Sequence, residues 1–149
     1  MDIWHVSHRL LSIDVEKTLI QILNKPKTEE FIVRLNTRVQ LYKEGIDSEG
    51  KTLVSIGGNY APSTVKKKKR KSQPTNRVTL YDSGEFYDSF TVTPTANADY
   101  TIDSDPMKNG KSLFKRWGEN VEGLTDENAE KVIDYLRLEF YKIAFRGLR

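Results

Sequence analysis

Apolar residues recur at helical spacing in three long stretches of this chain and alternate in only two short ones. In residues 13–24, Val15, Leu19, Ile22 and Leu23 share a face, Asp14 and Glu16 sit near the start, and Pro26 follows the end. Thr28 reads as the N-cap of a second helix, with Glu29 and Glu30 in its first turn. Phe31, Ile32, Leu35, Val39 and Tyr42 form its stripe, and Gly45 ends it. The clearest helix follows Thr125, with Asp126 and Glu127 in the first turn. Ala129, Val132, Ile133, Leu136, Phe140, Ile143 and Ala144 line one side of it, and Lys142 and Arg146 suit its C-terminal dipole. At 1.5 Å per residue it spans roughly 30 Å.

The middle of the chain is more polar. Asp47, Ser48, Glu49 and Gly50 are turn residues, and residues 53–56 make at best a short strand. Residues 57–77 read as one long polar connection of about twenty residues, a length that is usually functional or disordered. Leu80, Gly84, Phe86 and Tyr87 allow a short helix or turn. Residues 90–93 and 98–102 read as two strands joined by a turn at 95–97, and Pro106 ends the sheet. Residues 112–117 form a short apolar helix stopped by Gly118. The first eleven residues carry Ile3, Trp4, Val6, Leu10 and Leu11 without a clean period and read as a docking arm. The expected architecture is one α+β domain over residues 1–149, with helices at both ends packed on a small antiparallel sheet and a long basic loop.

Composition changes this picture in one place. The 149 residues are 37% hydrophobic and 30% charged, which predicts a modest core and amphipathic surface for partners. The net charge is +3, yet six of the 24 basic residues stand together as Lys66, Lys67, Lys68, Lys69, Arg70 and Lys71. Without them, 18 basic residues face 21 acidic ones. The body is mildly acidic, and one segment is a local positive device suited to phosphate or an acidic protein surface. It has no interleaved aromatics, so base stacking is not its mode.

Other chemistry is thin. There is no cysteine, which removes disulfides and thiol chemistry. No apolar run approaches the ~20 residues that cross a bilayer. The first nine residues lack the apolar core of a signal peptide, so a cytoplasmic origin is expected. His5 and His8 lack a third ligand at a telling spacing. Asp82, Glu85 and Asp88 form one acidic group and Asp99, Asp103 and Asp105 another. Asp103 and Asp105 with Lys108 are the only carboxylate–lysine grouping that suggests a metal-dependent nuclease. No cofactor motif is present, and binding is expected rather than catalysis. Trp4 and Trp117 are core or interface anchors, and Gly84 reads as fold punctuation.

Two segments carry a family resemblance. Tyr60-Ala61-Pro62-Ser63-Thr64-Val65-Lys66-Lys67-Lys68, followed by Val78-Thr79-Leu80-Tyr81-Asp82-Ser83-Gly84-Glu85-Phe86-Tyr87-Asp88-Ser89-Phe90-Thr91-Val92, resembles the virion-morphogenesis and tail-completion proteins of tailed bacteriophages. The matching positions are Thr64, Lys66, Leu80, Gly84, Phe86, Ser89 and Val92. Gly123-Leu124-Thr125 is similar to that family's start of the last helix. Ser83 stands where the family usually has Thr, and Phe86 where it usually has Leu. The resemblance implies a structural protein made in a bacterial host and placed at the head–tail junction of the virion. It implies a homo-oligomeric ring, of about six or twelve copies, that contacts portal and tail proteins and no membrane. The basic run would then touch packaged DNA or an acidic neighbour. Trp4, Leu80, Gly84, Phe86, Tyr87 and Trp117 become the expected assembly contacts. The alternative is a small nucleic-acid-binding module built on Lys66–Lys71.

Overall fold

Helix starts along this chain follow local capping chemistry more closely than hydrophobic spacing. The structure, a computed structural model, describes residues 3–146. Met1 and Asp2, the first residues of the expected arm, lie outside the described residues. Helix α1 (Ile3–Leu11) leads into α2 (Val15–Leu23), whose N-cap Asp14 accepts from Lys17 N at 3.0 Å. Helix α3 (Pro26–Arg34) begins three residues earlier than the reading with Thr28 as N-cap. Lys25 is its extended N-cap and Pro26 fills the first turn, where a missing N–H costs nothing. Thr28 lies inside the helix, buried, and its hydroxyl donates to Ile22 O at 2.7 Å, tying α3 to the end of α2.

Helix α3 runs on into a π-helical segment, Leu35–Glu44, which ends at Gly45 with φ +66°. A Cβ at residue 45 would sit 2.9 Å from Val78 O, so glycine is required on both counts. The short strand expected near residue 53 is instead helix α4 (Leu53–Gly57). Thr52 caps it by accepting from Ser55 N, and this outweighs the β preference of Val54 and Ile56. The expected long basic loop is helix α5 (Pro62–Arg70), opened by Pro62 and built from lysines, which are strong helix formers. Helix α6 (Glu85–Asp88) is a single turn.

Strands β1 (Thr91–Pro94) and β2 (Tyr100–Asp103) pair antiparallel, with Val92 opposite Ile102. A second hairpin follows Pro106, where the sheet was expected to end: β3 (Met107–Lys108) and β4 (Lys111–Ser112). Asn109 and Gly110 form its turn, both at positive φ, as a two-residue hairpin requires. Helix α7 (Phe114–Trp117) leads through a 3-10 turn (Glu119–Val121) to α8 (Asp126–Ala144), capped by Thr125. The result is an α+β fold: helices at both ends, with small antiparallel hairpins between them.

Two apolar clusters form the core. Leu41, Leu53, Val78, Leu80, Phe86, Tyr87, Phe90, Trp117 and Val121 make the larger. Leu23, Ile32, Leu35, Val92 and Val132 make the smaller, and Val33 and Ile102 touch both. Between them runs a buried polar seam. Asn36 donates to Val121 O and accepts from Gly123 N, both at 2.9 Å. Gln40 donates to Gly123 O and accepts from Thr125 N, again at 2.9 Å, and from Asn128 Nδ2 at 3.2 Å. These bonds fasten the segment before α8 to the π-helical segment. Val132 and Ala144 of the expected stripe are buried, whereas Ile133 turns outward.

Candidate interaction site around the basic helix

The run of six cations does not act as a unit. Thr64 and Val65 are half-buried, which sets the face of α5 that meets the body. Lys68 lies on that face and is only 5% exposed. Its ammonium donates to Tyr81 O and to Gln73 Oε1, and sits 4.7 Å from the centre of the Tyr60 ring. A buried charge is tolerated only with such partners. Lys71, just past the helix, reaches Asp82 Oδ1 at 2.6 Å, while Lys108 reaches Asp82 Oδ2 at 2.9 Å. Hydrogen bonds from these two ammoniums hold the Asp82 carboxyl down at about 2. Gln73 completes the link by donating to Asp82 O at 2.8 Å.

The side chains of Lys66, Lys67, Lys69 and Arg70 are exposed and make no hydrogen bond or ion pair with the described residues. Beside Lys67 a cleft of about 270 Å³ opens between α5 and α7, floored by Leu113 and Trp117. It adjoins a wider one of about 790 Å³ that carries Lys111, Lys115 and Arg116 on its other wall. Arg116 is already committed: it donates to Gly57 O and Asn59 O and lies 4.5 Å from the Trp117 ring centre. Lys111 and Lys115 are exposed. They extend the positive surface, and only the fold brings them beside α5.

The two resembling segments form one packed unit. The Tyr60 hydroxyl accepts from Thr79 N at 2.9 Å, and Tyr87 donates from its hydroxyl to Thr79 O. Burial pushes the Tyr87 phenol upward. Arg38 lies over Tyr81 at 5.0 Å and over Tyr87 at 5.6 Å. Among the expected assembly contacts, Leu80, Phe86, Tyr87 and Trp117 are therefore buried in the chain's own core and offer no surface to a partner. Gly84, with φ +100°, is the left-handed N-cap of α6. Trp4 is 74% exposed.

The acidic groups are scattered into local roles. Asp82 takes both nearby lysines, so Lys108 is paired away from Asp103 and Asp105. Asp105 accepts from Met107 N and Asp103 from Thr101 Oγ1. Among the described residues no group of three His, Cys, Asp or Glu could hold a metal ion, and no helix is long and apolar enough to cross a membrane. The His8 and Trp4 rings lie tilted to one another on exposed α1, with ring centres 6.4 Å apart.

Compared with known families, curated proteins and solved structures, the chain matches no family model, no curated protein and no solved structure.

Proposed function

We propose that this chain is a structural protein of a tailed-bacteriophage virion, forming a ring at the head–tail junction and joining portal to tail. The observation that carries the assembly role is unspent apolar surface. Every exposed large hydrophobic among the described residues, except Ile56 and Met107, lies on α1, at the start of α2, or on α8 and the residue after it. Apolar surface gathered in this way marks a protein interface. The resemblance of residues 60–68 and 78–92 to tail-completion proteins supplies the place of that assembly. Its two segments pack against each other through Tyr60, Thr79 and Tyr87, which is what a shared structural motif requires. On this reading the protein binds rather than catalyses, which fits the pairing of Lys108 with Asp82 rather than with Asp103 and Asp105. Mass spectrometry of purified particles should find the chain at a fixed ratio to the portal, and purified chain should co-assemble with portal or tail components. Absence from purified particles overturns the reading.

A second reading has its own observation. Lys66, Lys67, Lys69 and Arg70 on α5, with Lys111 and Lys115 lining the adjoining cleft, are six exposed cations of an otherwise acidic chain. Lysines are compact, non-directional charges, suited to a phosphodiester backbone rather than to base edges. This reading makes the chain a non-specific nucleic-acid-binding module. Its affinity would fall steeply with salt, by a log–log slope of about −0.9 per neutralised phosphate on duplex DNA. Binding unchanged by replacing those six cations with Ala removes it.

A further inference from the structure

Both walls of the cleft between α5 and α7 are fixed by contacts inside the chain. Lys68 ties α5 to the body through Tyr81 O and Gln73 Oε1. Arg116 ties α7 to the connection between α4 and α5, through Gly57 O at 2.8 Å and Asn59 O at 2.9 Å. The Trp117 ring lies so close to Gly57 that a Cβ there would collide with it, which holds the floor in place. Half-buried Leu113, Tyr60 and Tyr81 give that floor its apolar surface, above buried Leu80 and Trp117. A cleft built in advance binds without first ordering its own walls.

The rim is cationic on both sides. Lys67 stands on α5, Lys111 on β4 and Lys115 on α7. All three are exposed, and their ammoniums make no hydrogen bond or ion pair with the described residues. The one acid lining the cleft, Asp82, is already shared between Lys71 and Lys108. The rest of the basic run is placed elsewhere. At 3.6 residues per turn, Lys66, Lys69 and Arg70 turn away from the side of α5 that carries Thr64, Lys67 and Lys68, and they line neither part of the cleft.

We propose that this cleft holds an acidic segment of a partner protein. Apolar side chains of the segment seat on Leu113, Tyr60 and Tyr81, and its carboxylates meet Lys67, Lys111 and Lys115. The proposal goes beyond the virion reading, because it concerns what the cleft binds and depends on no particle. Charge complementarity requires an acidic occupant, and the apolar floor selects a peptide. A phosphodiester backbone would satisfy the three ammoniums and leave the floor uncovered. Base stacking has poor support: Trp117 is 4% exposed, and Lys68 and Arg38 already lie over the Tyr60 and Tyr81 rings.

The probe is a pool of fluorescent decapeptides in which aspartate or glutamate flanks a central pair drawn from leucine, isoleucine, phenylalanine and tyrosine. Two full-length variants each lose three exposed cations. The cleft variant carries Lys67→Gln, Lys111→Gln and Lys115→Gln, and the outer variant Lys66→Gln, Lys69→Gln and Arg70→Gln. Net charge falls equally in both, so long-range attraction falls equally and any difference reports the location. All six side chains are exposed and unpaired with the described residues, so circular dichroism and thermal melting should match the parent chain. Fluorescence anisotropy should show the pool binding the outer variant within about threefold of the parent, and the cleft variant at least about tenfold more weakly. A pool with serine in the central pair should bind the parent about tenfold more weakly as well. A pool that does not bind the parent, equal losses in the two variants, or a serine pool that binds as well as the first would each overturn the proposal. An oligothymidylate that displaces the pool and binds both variants equally poorly makes nucleic acid the occupant instead. A parent oligomer, seen by light scattering, that only the cleft variant dissolves makes the occupant a second copy, again against the proposal.

Discussion

The unit spanning Tyr60 to Phe90 and the pair formed by α1 and α8 handle their leftover chemistry in opposite ways. In the first, nearly every demanding group is met inside the chain. Lys68 is buried against Tyr60 and the Tyr81 carbonyl, Asp82 holds two ammoniums, and Tyr87 reaches Thr79. In the second, large apolar side chains are held out to solvent, with ring contacts to neighbours on or just past the same helix, as between Trp4 and His8 and between Tyr141 and Phe145. The contrast separates groups that hold the fold from groups left exposed at the surface, which the proposed assembly role would use. Charge alone misleads here, because two of the six cations in the basic run belong to the first class and the other four to the second. Hydrophobicity misleads in the same way: Trp117 is 4% exposed and Trp4 is 74% exposed.

The largest break of this contrast comes from the buried polar seam that supports both regions. Gln40→Leu removes the acceptor for Thr125 N and Asn128 Nδ2 and the donor to Gly123 O. Buried groups left unpaired cost about 1–3 kcal/mol each, and partial rewetting reduces the sum, so a loss of about 3 kcal/mol is expected in urea unfolding. A loss below about 1 kcal/mol would show that the seam is not what fastens α8.

Within the basic run, one substitution made at two positions sharpens the contrast. Lys68→Met removes a buried cation and leaves Tyr81 O without its donor, and should cost about 1–2 kcal/mol. Lys67→Met, one residue away and exposed, should change stability by less than about 0.5 kcal/mol. Binding to a polyanion should respond in reverse, weakening for Lys67→Met and hardly at all for Lys68→Met. Equal stability effects at both sites would mean that α5 is not docked through Lys68.

This distinction was not legible in the residues alone. Six consecutive cations carry no apolar periodicity, so α5 reads as a solvated loop. Its docking depends on an acceptor at Tyr81, thirteen residues further on. Helix α4 was hidden by β-branched residues whose capping partner, Thr52, stands just outside them. The β3–β4 hairpin was readable from Asn109-Gly110 and was missed because Pro106 drew the boundary too early. By contrast, α2 and α8 follow directly from spacing and caps, because both bury one face against ordinary apolar neighbours. The positive wall formed by Lys111 and Lys115 has no local signal, since it exists only where α7 folds back beside α5.

Acid should probe the Asp82 clamp. Its carboxyl sits at about 2 in the folded chain, below the ordinary 3.8. A depressed carboxyl contributes stability that is fully present above its unfolded value and is lost as pH falls toward about 2. The side chain is 44% exposed, so solvent screening keeps the contribution below about 1 kcal/mol. Asp82→Asn should flatten that part of the pH–stability curve between pH 4 and pH 2 while leaving pH 7 stability within about 1 kcal/mol of the parent. A curve that keeps its full slope in the variant would place the acid sensitivity elsewhere.

The smallest effect on stability should accompany the largest effect on assembly. Leu138→Ser alters a side chain that is 61% exposed and outside both core clusters, so the folded chain should lose less than about 0.5 kcal/mol. An apolar side chain of this size contributes about 1.5–3 kcal/mol when a partner buries it fully, and proportionally less for partial burial. In a closed ring the same contact repeats at every junction, so a modest loss per junction multiplies into disassembly at fixed concentration. Thermal melting and sedimentation on one sample should therefore disagree, the first nearly unmoved and the second shifted to smaller species. If instead melting falls by several degrees while assembly persists, α8 is supporting the fold through its outer side. The boundary drawn between internal chemistry and partner chemistry would then have to move to α1 alone.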